Sequence, residues 1–167
     1  VAPSRGLGDV YKRQIFYHTA YGTYEGHRRP SESVFCALPS LKGNKITASS
    51  WSQCRIFYDP QKFAEGVALF LKEAKHLKNV SSYCYDVVDF VRQYIADLGR
   101  ESYYKFVEAY QSKDKEKFNY WSSRFLELLK DQDRLLSAHP SFNVGRWLNQ
   151  ARAAGKSLSS KDLYEYL

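Results

Sequence analysis

Three observations predict an all-α fold. Between residues 59 and 154, apolar residues recur at steps of three and four over long stretches, the spacing that lines one face of a helix. Residues that start and stop helices bracket those stretches, with Asp59-Pro60 and Asn143 at starts and Pro140 and Gly155 at ends. Alternation of apolar and polar residues is confined to a short RIFY run at 55–58. Neighbouring helices joined by short turns pack mostly antiparallel. The predicted architecture is therefore an antiparallel, bundle-like set of helices preceded by a long irregular connection.

In chain order, the apolar and aromatic residues from Ile15 to Ala20 read as the end of a helix, which Gly22 and Gly26 break. The stretch from Tyr21 to Ser52 carries Pro30, Pro39, Gly43 and many Ser and Thr, so it reads as an extended connection. A structureless loop of that length is unusual within a compact domain and is more often functional.

Asp59 as N-cap and Pro60 at the first position then start a helix. Phe63, Val67, Phe70, Leu71, Ala74 and Leu77 carry its stripe to about Lys78. Asp86 is expected to open the next helix, striped by Val87, Val91, Tyr94, Ile95 and Leu98. Gly99 interrupts it only mildly before Tyr103, Phe106, Val107 and Tyr110 continue it to about Ser112.

A third helix is predicted from about Asp114 to Ala138, with Phe118, Trp121, Phe125, Leu128, Leu129, Leu135 and Leu136 at helical spacing and Pro140 as its stop. Ser141 or Asn143 caps a shorter helix that Gly155 closes, and Ser159 or Ser160 caps a last one.

The chain has 167 residues, 44% of them hydrophobic, enough for one buried core and too few for a barrel plus an accessory domain. No stretch approaches the roughly 20 apolar residues of a membrane span. Asp9 to Gln14, DVYKRQ, resemble the frame translation of a sequencing-library adapter, so residues 1–14 are set apart from the fold and the domain is taken as 15–167. Residues 1–14 hold +2 of the +7 net charge. The remaining charge is interleaved with acidic residues, as in KDKEK at 113–117, which reads as a solvated surface and not as a nucleic-acid stripe.

Cys36, Cys54 and Cys84 lack metal-ligand spacing. One disulfide with a free thiol, or buried reduced cysteines, both remain open. Asn79-Val80-Ser81 is a glycosylation sequon. His18, His27, His76 and His139 lack the local context of a nucleophilic triad, and the Gly-containing GLGDVYK run does not fit a phosphate loop. No metal or organic cofactor is expected.

Glycoside hydrolysis needs two carboxyl groups on opposite sides of the scissile bond. Asp86 with Asp89, and Glu127 with Asp131, stand three or four residues apart, so each pair points one way from one helix and cannot flank a sugar. Their expected roles are helix charge and ion pairing, Asp89 with Arg92 among them. Aromatic residues make up 16% of the chain, and rings can stack on sugar C–H faces. Trp121, on an apolar stripe, reads as core. Trp51, in the polar SSWSQ context, has no local core to join.

The order YD-x-x-D-x-x-RQ from Tyr85, RFLELL-x-x-x-D-x-LL from Arg124, F-x-x-GRWL-x-x-AR from Phe142 and DLYE at 162–165 resembles the C-terminal helical domain of the α-N-acetylglucosaminidases, family 89 of the glycoside hydrolases. The resemblance covers residues 15–166, with Leu38 where the family usually has Arg before Pro39-Ser40-Leu41. It implies an extracytoplasmic or lysosomal parent enzyme that removes terminal α-linked GlcNAc by double displacement. The catalytic carboxylates would lie on a (β/α) barrel of the same parent chain, and none in this fragment.

By the same resemblance, Trp51 follows the PSL motif and is expected to help form the sugar pocket. His27, with Glu25, is placed near the pocket mouth, and Trp147 and Tyr164 match family positions close to the active-site side, where their helical setting favours packing over sugar contact. The alternative reading is a stand-alone basic helical module that binds a protein or an acidic polymer.

Overall fold

Asp59 caps the first long helix as its sequence demands: its carboxylate accepts from the backbone N–H groups of Gln61 at 2.9 Å and Lys62 at 3.3 Å. The computed structural model describes residues 14–19, 33–37, 40–42, 56–155, 157, 159, 160 and 163. Within them the elements are α1 (residues 14–18), a 3₁₀ turn Val34–Cys36, α2 Pro60–Leu71, α3 Ala74–Leu77, α4 Ser81–Gln111, α5 Lys115–Ser137, a 3₁₀ turn Pro140–Phe142 and α6 Val144–Ala154. No strand occurs among the described residues, and Ile56–Tyr58 of the RIFY run are irregular. The class is all-α, as predicted.

Two boundaries differ from expectation. The helix predicted from Asp59 to Lys78 breaks after Leu71, because the Phe70 carbonyl accepts from the Glu73 N–H at 3.2 Å and from the Tyr83 hydroxyl at 2.9 Å. Those donors take the acceptor that a continuous helix would offer to Ala74.

The second difference is that α4 opens at Ser81, five residues before Asp86, without a side-chain cap. The first turn is held instead by packing, with Tyr83 buried and its ring 4.7 Å from that of Phe70. Tertiary contact here outweighs the missing cap.

α4 is the spine, about 46 Å long at 1.5 Å per residue. α5 returns along it, as the ring pairs Tyr110–Phe118, Phe106–Phe118 and Phe106–Phe125 require. The reversal between them is a Schellman motif: Lys113 N–H bonds the Tyr110 carbonyl at 3.1 Å, Asp114 N–H bonds the Ala109 carbonyl at 2.9 Å, and Lys113 takes φ 59°. Asp114 then caps α5 by accepting from the Lys117 N–H at 3.0 Å. Its carboxyl is held below the ordinary range, first by that backbone bond and then by the Lys117 ammonium.

Two core clusters sit on this spine. Val34, Tyr103, Phe106, Val107 and Phe125 form one, with Phe35, Phe118 and Trp121 packed against it. Phe16, Phe63 and Val67 form the other, with Phe70, Phe90, Val91 and Tyr94 around them. Fully burying one such side chain contributes roughly 1.5–3 kcal/mol relative to leaving it exposed. The placement of Trp121 agrees with its core reading, and Lys105 Nζ lies 4.2 Å from the Trp121 ring centre.

Asn143, of the two candidates, caps α6 by accepting from the Gly145 N–H at 2.9 Å. In the final stretch Ser159, Ser160 and Leu163 are helical, but the hydroxyl that accepts from the Ser160 N–H, at 3.1 Å, belongs to Ser157. Ser157 therefore replaces the predicted Ser159 or Ser160 as cap. A cap hydroxyl must precede the first turn, and here it stands three residues before the N–H it accepts from.

Candidate functional site

α4 organises the polar interior as well as the cores. Gln93, Asp97 and Arg100 lie at successive i, i+4, i+7 positions along one side of it, and Tyr58, just before α2, reaches across to them. The Tyr58 hydroxyl donates to Asp97 Oδ2 at 2.8 Å and accepts from Gln93 Nε2 at 2.8 Å. Gln93 Nε2 also donates to Asp97 Oδ1 at 3.2 Å, and Arg100 Nη1 donates to the same oxygen at 3.2 Å. Asp97 and Arg100 are both buried, which makes this an ion pair that requires its hydrogen bonds. Burial pushes the Asp97 carboxyl above the ordinary carboxylate range, while Tyr58, Arg100 and Gln93 pull it partly back. Burial, with Asp97 beside it, raises the Tyr58 phenol further from titration.

A second clamp lies six residues along the same helix. The hydroxyl of Tyr103, itself 1% exposed, donates to the Ser40 carbonyl at 2.7 Å and accepts from the Ser40 N–H at 2.7 Å. Gln111 Nε2 donates to the Leu41 carbonyl at 3.4 Å beside it. The backbone of Ser40 and Leu41 is thereby tied to α4.

The carboxylates set aside by spacing are occupied within their own helices. Asp89 pairs with Arg92 at 2.6 Å, Glu127 with Arg124 at 3.3 Å and Asp131 with Arg134 at 3.6 Å. Asp86 stands inside α4 with its carboxyl raised, first by burial and then by Asp89. No group of three His, Cys, Asp or Glu able to hold a metal occurs among the described residues. Cys36 and Cys84 are free thiols, Cys36 exposed and Cys84 half-buried. His139 caps the Pro140 turn, its Nδ1 accepting from the Ser141 N–H at 3.2 Å.

Of the candidate sugar-facing residues, Trp147 is described. It stands 64% exposed on α6 and does not line the open groove of about 720 Å³ that Ser137, Pro140, Asn143, Arg146, Asn149 and Gln150 form with the same helix. His27, Trp51 and Tyr164 lie outside the described residues, as does Cys54. Sequence reasoning passed over Tyr58, Gln93, Asp97 and Arg100. Their signal was a Gln-Asp-Arg polar line at helical spacing, running beside the apolar stripe of α4.

These features define an all-α domain whose described polar groups build and tie a scaffold. The chain belongs to the family described as the alpha-N-acetylglucosaminidase (NAGLU) C-terminal domain, whose profile matches residues 12–167. It is 30% identical over 150 residues to human alpha-N-acetylglucosaminidase, covering 89% of this chain and 19% of that protein.

Among solved structures it resembles the family 89 glycoside hydrolase from Clostridium perfringens in complex with PUGNAc, at 32% identity and TM-score 0.88, over 96% of this chain and 18% of that one. The same family 89 enzyme in complex with its substrate GlcNAc-alpha-1,4-galactose matches at TM-score 0.87 and 32% identity, with the same coverage. The chain thus spans about a fifth of the length of the relatives it matches. Among the described residues no helix is long and apolar enough to cross a membrane.

Proposed function

We propose that this chain serves as the C-terminal accessory domain of a glycosidase that hydrolyses terminal α-linked N-acetylglucosamine from glycans, bracing the catalytic barrel and contributing wall to the sugar pocket. The observation that carries this reading is the match, at TM-score 0.87 over 96% of the chain, to an enzyme held with GlcNAc-alpha-1,4-galactose. In this reading two carboxylates of the barrel perform a double displacement without metal or organic cofactor. Trp51 supplies a stacking face to the sugar, His27 and Tyr164 lie near the pocket mouth, and Trp147 faces the same side. The parent enzyme works in an extracytoplasmic or lysosomal setting.

The intra-helical pairing of Asp89, Glu127 and Asp131 supports a non-catalytic role, since carboxylates engaged along one helix do not flank a glycosidic bond. The test is hydrolysis of p-nitrophenyl α-N-acetylglucosaminide. The 167-residue chain alone is expected to release no nitrophenol, and the parent enzyme with this domain in place is expected to release it. Turnover by the isolated chain would overturn the assignment.

A further inference from the structure

The turn between α3 and α4 carries a motif whose side chains the fold does not use. Asn79-Val80-Ser81 is the one Asn-x-Ser/Thr triplet in the chain, and all three of its residues are exposed. The backbone around it is committed. Lys78 N–H donates to the Ala74 carbonyl at 3.0 Å, Val80 N–H donates to the Leu77 carbonyl at 2.9 Å, and Cys84 donates through Sγ to the Lys78 carbonyl at 3.2 Å and through N–H to the Val80 carbonyl at 3.0 Å. The turn is therefore shaped by its main chain.

Asn in a turn and Ser at a helix start ordinarily accept from a neighbouring backbone N–H. Here α4 opens on Val80 without a side-chain cap, and among the described residues neither the Asn79 amide nor the Ser81 hydroxyl has a hydrogen-bond partner. Val80 between them holds φ −95° and ψ 111°, so the link is extended and not wound into α3. Lys72, Lys75, His76 and Lys78 are exposed beside it, which makes this a hydrated face with room for a bulky polar attachment.

We infer that Asn79 is an acceptor for an N-linked glycan, supplied by a lipid pyrophosphate-linked oligosaccharide. A bond forms between Asn79 Nδ2 and C1 of the first sugar, and the bond from that carbon to a pyrophosphate oxygen breaks. The pyrophosphate leaves with the electron pair, and the amide nitrogen gives up one proton. A carboxamide nitrogen is a weak nucleophile because its lone pair is delocalised into the carbonyl, so the acceptor must be unencumbered and the Ser81 hydroxyl open to the transferase that reads it. An attached glycan stays in water, which places this turn on the solvent side of the parent enzyme. Of the functional reading above, the inference rests on the extracytoplasmic setting alone.

The experiment takes the full-length enzyme that carries this domain, secreted from eukaryotic cells and digested with trypsin. Mass spectrometry follows the peptide that contains Asn79 and ends at Arg92, before and after peptide N-glycosidase in heavy-oxygen water. At least about half of that peptide is expected to carry a glycan, whose removal leaves a labelled aspartate at position 79. Ser81→Ala should cut occupancy more than about tenfold, Ser81→Thr should keep it and Asn79→Gln should abolish it.

An unmodified peptide from the secreted enzyme overturns the proposal, as does occupancy that Ser81→Ala leaves unchanged. Hydrolysis of p-nitrophenyl α-N-acetylglucosaminide is measured on the same preparation. Bare Asn79 in an active enzyme sinks the glycan and spares the glycosidase reading, and occupied Asn79 in an inactive enzyme does the reverse.

Discussion

Gly99 of α4 makes room for the Phe35 ring: a Cβ at position 99 would stand 2.4 Å from Phe35 Cζ and 2.7 Å from Cε1. The 3₁₀ turn Val34–Cys36 can lie on the spine only because this position has no side chain. In sequence Gly99 reads as a mild weakness in a helix, and in the fold it is a socket.

Gly99→Ala is accordingly predicted to destabilise the domain. Alanine gains about 1 kcal/mol of helix propensity over glycine, but overpacking against a ring already in contact with Phe125 at 5.4 Å costs typically 1–3 kcal/mol. We expect a net loss of up to about 2 kcal/mol, read as a lower urea midpoint with unchanged m-value. Stabilisation by this substitution would refute the socket.

Lys113→Gly is predicted to act in the opposite sense. Lys113 holds φ 59° at the Schellman turn between α4 and α5, a conformation that costs an L-residue about 1 kcal/mol and glycine almost nothing. Glycine pays back part of the gain as unfolded-state entropy. A rise in stability of about 0.5 kcal/mol is expected by chemical denaturation.

Asp97→Ala removes the carboxylate that buried Arg100, Gln93 and Tyr58 all address. Truncating one partner of a buried ion pair typically costs 3–5 kcal/mol, and a loss near 3 kcal/mol is expected here. Asp97→Asn retains an acceptor for Tyr58 and should lose less. Equal losses for the two variants would show that the charge matters more than the hydrogen bonds.

The same carboxylate gives a pH signature. Its pKa is raised in the fold by burial, so between the ordinary carboxylate value and the raised one the folded state binds more protons than the unfolded state. Stability from this group therefore increases as pH falls through that window and is lost as pH rises through the raised value. Asp114, held low, acts oppositely: its contribution is present above the ordinary value and lost as pH falls through the depressed one. Urea midpoints stepped through the acid range should show the Asp97 trend as the difference between wild type and Asp97→Asn.

Asn143→Ala should uncap α6. Loss of an N-cap costs about 1 kcal/mol, but α6 has no fully buried residue, so most of the loss should appear as faster amide exchange within Val144–Ala154. The exchange of α4 amides should stay unchanged. A matching loss of protection in α4 would mean that α6 unfolds only with the rest.

Sequence reading succeeded where local chemistry decides the structure. Asp59-Pro60, Asp114 and Asn143 announce helix starts by the bonds that their side chains make within the next turn, and the stripes of α2, α4 and α5 follow their periodicity. It failed where distant groups decide. The break after Leu71 depends on the hydroxyl of Tyr83, and the early start of α4 depends on the packing of the same side chain. The clamp of Tyr103 on Ser40 spans 63 residues, and no local pattern encodes such a pairing. Of the candidate sugar-facing residues, Trp147 is placed on α6, where its side chain is exposed.

The two core clusters have no buried member in common, yet both are built on α4. Mechanically the helix is an axle with a hub at each end, and the Tyr58–Gln93–Asp97–Arg100 network sits near its middle. Between the hubs load passes through the backbone bonds of that central stretch and through the side-chain network that Tyr58 joins there. The domain should therefore transmit force along its length while letting each end yield on its own.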